Sequence, residues 1–310
     1  MNKIKTILMG TPEFAEKIFR KSYSVLQNNF EITHIITAQD KPIGRKQILI
    51  PSPVKQFAQE KNIPILQPDK IRKQEWIEKL KQLNPELIIL CAYGQIIPKE
   101  ILDIPKYGAL NIHPSLLPKY RGASPIHQAI LNGDESTGIT LMLMDEQMDH
   151  GNIISQKEYK IKNNITYKEL ENELTDIALN LLIESLLNWI KNQKSIEQDH
   201  EKATFCKMIK KQDGQIDWNN TAEQIHRKIR AYHVWPIAYT MFKNKQLKIL
   251  EAETKKENTN NQSGTVLNDL NIQTKDNILI IKKLQLEGKK PMISKEFLNG
   301  YPDIVNYVFE

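Results

Sequence analysis

Glu86-Leu87-Ile88-Ile89-Leu90-Cys91-Ala92 and, further on, Ala109-Leu110-Asn111-Ile112-His113-Pro114-Ser115 are the stretches that decide how this chain folds. The first is a short apolar run with no polar alternation, the pattern of a strand buried on both faces. The second is apolar as well, but it ends in two polar residues spaced two apart. Side chains alternate along a strand, so Asn111 and His113 point to the same side. An amide and an imidazole together at a strand end suit proton transfer with stabilisation of a developing oxyanion.

Working upstream, residues 5–9 read as a first apolar strand, broken by Gly10-Thr11-Pro12. Residues 13–26 carry Phe14, Ile18 and Val25 at helical spacing. Residues 31–37 form a second strand, and 38–51, rich in Asp, Pro, Gly and basic residues, a loop. Ser52-Pro53-Val54 opens a helix, with Ser52 as cap before a first-turn proline. A short strand at 63–66, a helix at 75–83 and a short helix at 98–102 complete the pattern. This order predicts an α/β fold with a mostly parallel sheet and helices on both faces. Ligands in such sheets bind beyond the carboxyl ends of the strands. Gly10-Thr11-Pro12, Tyr93-Gly94 and Asn111 to His113 all fall at such ends.

Working downstream, residues 138–144 and 152–159 read as further strands, and their connection carries Asp149-His150-Gly151. Asp149 is either an ordinary loop aspartate between two strands or the group that orients the imidazole, and His150 is expected to be peripheral. Residues 166–189 form a long amphipathic helix, with Thr166 and Glu169 spaced as a capping box. Residues 191–204 are polar without a period and read as a linker. Beyond them a helix starts at Asn220 or Thr221. Short β-like runs follow at 238–242, 246–252, 264–267 and 277–281, a small β-rich module of barrel type.

The chain has 310 residues, 40% of them hydrophobic, enough for two domains with real cores. No apolar run is long enough to cross a bilayer, and the apolar start is too short for a signal peptide. Cys91 and Cys206 stand far apart, which fits a reducing cytoplasm and gives no disulfide or metal framework. The net charge is +6, and residues 208–310 hold 16 Lys or Arg against 12 Asp or Glu. That tilt gives mild support to a polyanionic partner. G-x-G-x-x-G, G-x-x-x-x-G-K-[ST] and G-x-S-x-G are all absent, so nucleotide-dependent and serine-nucleophile chemistry have little support. Ser115 to Pro118 is either a rigid turn or the wall of a pocket for a flat heterocycle. Arg45 and Lys46 form either a solvated basic loop or a phosphate contact. Arg121 is either a surface cation or an anchor for carboxylate or phosphate.

Asn111-x-His113, Ser115-Leu116-Leu117-Pro118-x-Tyr120-Arg121-Gly122 and Asp149 together resemble the hallmark of the 10-formyltetrahydrofolate-dependent formyltransferases. Met9 to Ala15, the Asp40-Lys41-Pro42-x-Gly44-Arg45 loop with Pro51 to Lys55, and Ala92-Tyr93-Gly94-Gln95 with Ile97-Pro98 resemble further family segments. So do Asp213-Gly214-x-Ile216-Asp217-Trp218, Ile229-Arg230-Ala231, Trp235-Pro236 and Phe297 to Gly300, and the likeness spans nearly the whole chain. The loop departs from the family's Gly-Arg-Gly pattern, with Lys46-Gln47-Ile48 after Arg45.

The resemblance implies a Rossmann-like catalytic domain over 1–190, a linker over 191–206 and an OB-like β-barrel that binds tRNA over 207–310. It implies 10-formyltetrahydrofolate as donor, no metal, and methionyl initiator tRNA as acceptor. A monomer in the cytoplasm, away from membranes, is expected. By the same likeness Asn111, His113 and Asp149 are catalytic. Ser115, Leu116, Leu117, Pro118, Phe14, Tyr93, Gly94 and Ile97 hold the folate, and Arg45 and Lys46 contact tRNA. An enzyme formylating an amino-sugar nucleotide shares this core and is one competing reading; a non-catalytic RNA-binding protein on the same scaffold is another, against which the complete Asn111, His113 and Asp149 set argues. The Gly44-Arg45 and Trp235-Pro236 segments favour the tRNA branch.

Overall fold

The computed structural model describes residues 3–43 and 48–309. The chain divides into two compact units, one of residues 1–122, 137–159 and 171–206, the other of 123–136, 160–170 and 207–310.

The first unit is built on a seven-stranded sheet. Its order is Ile153–Lys160, Ser136–Leu143, Ala109–His113, Leu87–Cys91, Ile4–Gly10, Phe30–Ile36, Ile65–Leu66. The four pairings from Ile65–Leu66 to Ala109–His113 are parallel, and Ser136–Leu143 runs antiparallel to Ala109–His113. Ile4–Gly10 has the earlier strand on one side and the later strand on the other, so strand order reverses between Ile4–Gly10 and Leu87–Cys91. Such a switch point opens a crevice at the strand ends. Thr11 Oγ1 donates to the Tyr93 carbonyl at 3.2 Å and ties the two loops that leave it. Gly10 is required there, since a Cβ would lie 2.8 Å from both the Ala15 Cβ and the Cys91 carbonyl oxygen.

All five residues of Leu87–Cys91 are buried, as an apolar run between helix layers requires. Ser52 caps the Pro53–Glu60 helix by accepting from the Lys55 amide at 3.0 Å. The stretch expected as a loop over 38–51 contains a short hairpin, with Lys41–Ile43 antiparallel to Ile48–Ile50. The β-branched Ile48 and Ile50 favour extended backbone, which outweighs the loop-like composition around them. Arg45 and Lys46 lie outside the described residues.

The second unit carries a five-stranded antiparallel sheet in the order Tyr239–Phe242, Lys245–Lys255, Ile278–Leu286, Asn271–Gln273, with Met292–Ile293 also on Ile278–Leu286. Its core includes Trp218, Phe242, Ile249, Leu279 and Phe297. Thr221 caps the Ala222–Ala231 helix with a reciprocal bond to Gln224. Among the described residues no pairing joins Tyr239–Phe242 to Asn271–Gln273, so the pairings form an antiparallel module that they do not close into a barrel. Residues 264–267, expected as a strand, contribute only isolated bridges from Thr265 and Val266.

Candidate active site

Asn111 and His113 sit on the Ala109–His113 strand, where they are 7% and 4% exposed. Strand alternation brings both side chains to Asp149, which is 38 and 36 positions further along the chain. Asn111 Nδ2 donates to Asp149 Oδ1 at 3.3 Å, and His113 Nδ1 lies 3.5 Å from the same oxygen. The other carboxylate oxygen, Oδ2, accepts from the Gly122 amide at 2.8 Å. Asp149 is thus anchored through one oxygen, while the other faces an amide and an imidazole at distances longer than a tight hydrogen bond.

The remaining contacts fix the roles of these atoms. His113 Nε2 lies 2.9 Å from the Tyr120 carbonyl. A carbonyl only accepts, so Nε2 carries a hydrogen. Nδ1 is then the ring nitrogen that faces Asp149. Asn111 must turn its NH₂ toward Asp149, because two facing oxygens would repel. That leaves Asn111 Oδ1 buried with no hydrogen-bond partner among the described residues. An unpaired buried acceptor costs about 1–3 kcal/mol, and a site that receives an N–H from substrate has a use for it.

Asp149 has φ of +49°, in the left-handed region that non-glycine residues rarely adopt. Gly122, with φ of +117°, lies so close to the Cys206 carbonyl that a Cβ would stand 2.3 Å from that oxygen. A larger residue at 122 would displace the amide that anchors Asp149.

Thr140 and Gln156 together hold the Ser115–Pro118 loop, Gln156 Nε2 donating to the Leu117 carbonyl at 2.8 Å. Thr140 is fully buried opposite His113. Its hydroxyl donates to the Ser115 carbonyl at 2.7 Å and accepts from the Leu117 amide at 3.1 Å and Gln156 Nε2 at 2.9 Å. Ser115 and Leu117 are buried, whereas Leu116 and Pro118 are half-buried. Phe14, Tyr93 and Ile97 are buried, Tyr93 and Ile97 within the hydrophobic core. Burial pushes the Tyr93 phenol above its ordinary pKa. Gly94 is exposed, with open space where a Cβ would stand. The 92–96 segment therefore shows the surface mainly Ala92, Gly94 and Ile96, with the aromatic ring of Tyr93 turned inward.

Arg121 departs from both sequence readings. It is 4% exposed, and Gln198 Oε1 accepts from its Nε at 3.2 Å and its Nη2 at 2.7 Å. A guanidinium so engaged is neither a surface cation nor a ready substrate anchor, and burial lowers its pKa. Gln198 is a residue that sequence reasoning passed over, because it sits in the aperiodic stretch taken for a linker. Thr140 was passed over too; a Thr within the apolar end of the Ser136–Leu143 strand was its only signal. His150, expected to be peripheral, stacks on His200 with centroids 4.0 Å apart and bonds to Asp145 Oδ2 at 2.6 Å.

The model of the formyl transferase family matches residues 2–186, and that of the formyl transferase C-terminal domain matches 208–302. A methionyl-tRNA formyltransferase of Caldicellulosiruptor saccharolyticus is 45% identical over 302 residues, covering 95% of this chain and 96% of the relative. One of Clostridium beijerinckii is 40% identical over 309 residues, covering 98% and 99%. Among solved structures, an N-formyltransferase from Helicobacter canadensis in complex with folinic acid and dTDP-3-aminofucose has the same fold. It aligns with a TM-score of 0.66 at 21% identity, covering 90% of this chain and 98% of that one.

Proposed function

The chain belongs to the formyltransferase family, and from that membership we propose that it transfers the formyl group of 10-formyltetrahydrofolate to the α-amino group of methionyl initiator tRNA. The observation that supports formyl transfer most directly is the meeting of Asn111, His113 and Asp149 within 3.5 Å at one strand end. The full-length likeness to methionyl-tRNA formyltransferases supports tRNA over an amino-sugar nucleotide as acceptor.

An α-amino group titrates near 8, so a useful neutral fraction exists at pH 7. The amine lone pair attacks the formyl carbon and the carbonyl electrons move to oxygen, giving a tetrahedral oxyanion. Asn111 Nδ2, with one hydrogen committed to Asp149, directs its other toward that oxygen. Asn111 Oδ1 accepts an N–H of the amine. With Nε2 committed to the Tyr120 carbonyl, His113 stabilises the oxyanion and moves the proton through Nδ1, whose approach to Asp149 is the longer one at 3.5 Å. Collapse re-forms the carbonyl, breaks the bond to the donor's N10, and sends the amine's proton to that nitrogen. The folate lies along Ser115, Leu116, Leu117 and Pro118 and the segment holding Tyr93, Gly94 and Ile97, with Phe14 beneath.

Residues 1–190 serve catalysis and 207–310 serve tRNA binding, joined by 191–206, with Arg45 and Lys46 as further tRNA contacts. The match of separate family models to 2–186 and 208–302 supports this division. The enzyme works as a cytoplasmic monomer; among the described residues no helix is long and apolar enough to cross a membrane. Purified protein with 10-formyltetrahydrofolate should formylate methionyl initiator tRNA and leave an amino-sugar nucleotide untouched. The opposite preference would overturn the assignment. With as few as two phosphate contacts, tRNA affinity should fall about tenfold between 50 and 200 mM salt.

A further inference from the structure

We propose that Gln198 is a positioning residue for formyl transfer and acts through the backbone of Asp149; the proposal rests on the assignment of Asp149 to the site. Gln198 is 3% exposed. Its Oε1 accepts twice from Arg121, at 3.2 and 2.7 Å. Its Nε2 donates to the Asp149 carbonyl at 2.9 Å and to the Gly151 carbonyl at 2.7 Å. Two lone pairs and two hydrogens are all used, which is the full capacity of a primary amide. A guanidinium only donates and a carbonyl only accepts, so the amide can face one way only.

The clamp grips the loop where it needs holding. Asp149 has φ of +49°, and among the described residues its Oδ1 makes only the contacts of 3.3 and 3.5 Å to Asn111 and His113. Both are longer than a tight hydrogen bond. The Gly122 amide holds Oδ2, and Gln198 holds the main chain on both sides of His150. Arg121 is itself braced, since its Nη2 donates to His200 Nδ1 at 2.8 Å. The His200 ring stacks on His150, the residue after Asp149, with an interplanar angle of 4°. A displacement of about 1 Å at a reacting group can cost a hundredfold in rate, so a clamp of this kind matters to turnover.

The test uses Gln198→Glu, which keeps both acceptors for Arg121 but brings oxygen against two carbonyls, and Gln198→Met, which keeps length without hydrogen bonds. Each is measured alone and combined with Asp149→Asn. We expect kcat to fall at least tenfold in both single variants, with KM for donor and tRNA within twofold and a cooperative folding transition retained at a lower midpoint. In the Asp149→Asn background the further loss should be under twofold, because the route of the effect is already cut. A kcat within twofold of wild type in both single variants would overturn the proposal. So would a loss that multiplies undiminished in the Asp149→Asn background, or loss of the folding transition in both variants, which would make Gln198 merely structural. An Asp149→Asn enzyme that turns over at the wild-type rate would overturn the site assignment itself, and the proposal with it; slow Asp149→Asn beside normal Gln198 variants overturns the proposal alone.

Discussion

The two units bury polar groups on different terms. In the first, Asn111, His113, Thr140, Arg121 and Gln198 are buried and bonded to one another's loops and strands. In the second, His127, His226, Lys228 and Arg230 share one dominant influence, burial, which lowers the pKa of each. Burial of a polar group is therefore no guide to chemistry in this molecule. Convergence is the better guide: in the first unit, groups from Asn111, His113 and Gly122 meet on the Asp149 carboxylate, and Gln198 holds the main-chain carbonyl of the same residue. In the second unit the carboxylate of Asp276 gathers the Ala222 amide, the Thr274 hydroxyl and the Asn277 side chain, a set that contains no imidazole.

If that contrast is right, the largest effects belong to the convergent cluster. Asn111→Ala should lower kcat by about 10²–10³, the usual cost of one oxyanion donor, with donor affinity nearly unchanged. Weaker folate binding at unaltered turnover would remove Asn111 from the chemistry. Asp149→Asn should lower kcat by about 10², since it keeps an oxygen able to accept from Gly122 but not the charge facing His113. Steady-state constants on both substrates read these two outcomes.

How much of this was legible in the sequence follows the same division between regular and irregular backbone. Asn111 and His113 could be paired from spacing alone, because a strand has a fixed period of two and both lie on it. The parallel sheet and its open end followed from apolar runs alternating with helical ones. Asp149 was reached through the family likeness, and its place between two strands beside Gly151 spoke equally for an ordinary loop aspartate, since nothing periodic links a residue at φ of +49° to a strand 36 positions away. Gln198 was invisible for the same reason. Its four bonds go to side chains and carbonyls brought together by tertiary contact, and residues 193–199 have no helix or strand period to betray them. Arg121 was misread because a basic residue beside a Pro-rich loop is usually solvated, and only the fold reveals the buried amide that receives it.

The second unit's desolvated histidines give a smaller effect of a different kind. His127 stacks on Tyr167 at 4.0 Å, and burial brings its pKa down to about 4. The unfolded chain, with a histidine pKa near 6.5, binds more protons between those values, so stability falls as pH drops from above 6.5 toward 4. His127 alone should account for a loss of about 2–3 kcal/mol over that window. His226, lowered in the same direction, adds to it. His127→Phe should flatten the dependence, read as unfolding free energy in urea at pH 7, 5 and 4. An unchanged slope would show that the ring is not desolvated in the folded protein.

The smallest effect isolates the contrast in one type of interaction, the helix cap. Ser52 and Thr221 each cap a helix by accepting from an amide, that of Lys55 at 3.0 Å and of Gln224 at 3.1 Å. Ser52 also shares a hydrogen bond of 2.7 Å with the hydroxyl of Thr37, which is fully buried. Thr221 has Gln224 as its reciprocal partner at the exposed surface. Loss of either cap alone costs about 1 kcal/mol. Ser52→Ala additionally strands the Thr37 hydroxyl in the core, whereas Thr221→Ala leaves Gln224 free to bond to water. Ser52→Ala should therefore cost about 1 kcal/mol more than Thr221→Ala, the penalty of a buried group without its partner. Adding Thr37→Val to Ser52→Ala should recover most of that difference, because it removes the orphan; equal costs for the two caps would mean that water reaches Thr37 once Ser52 is gone.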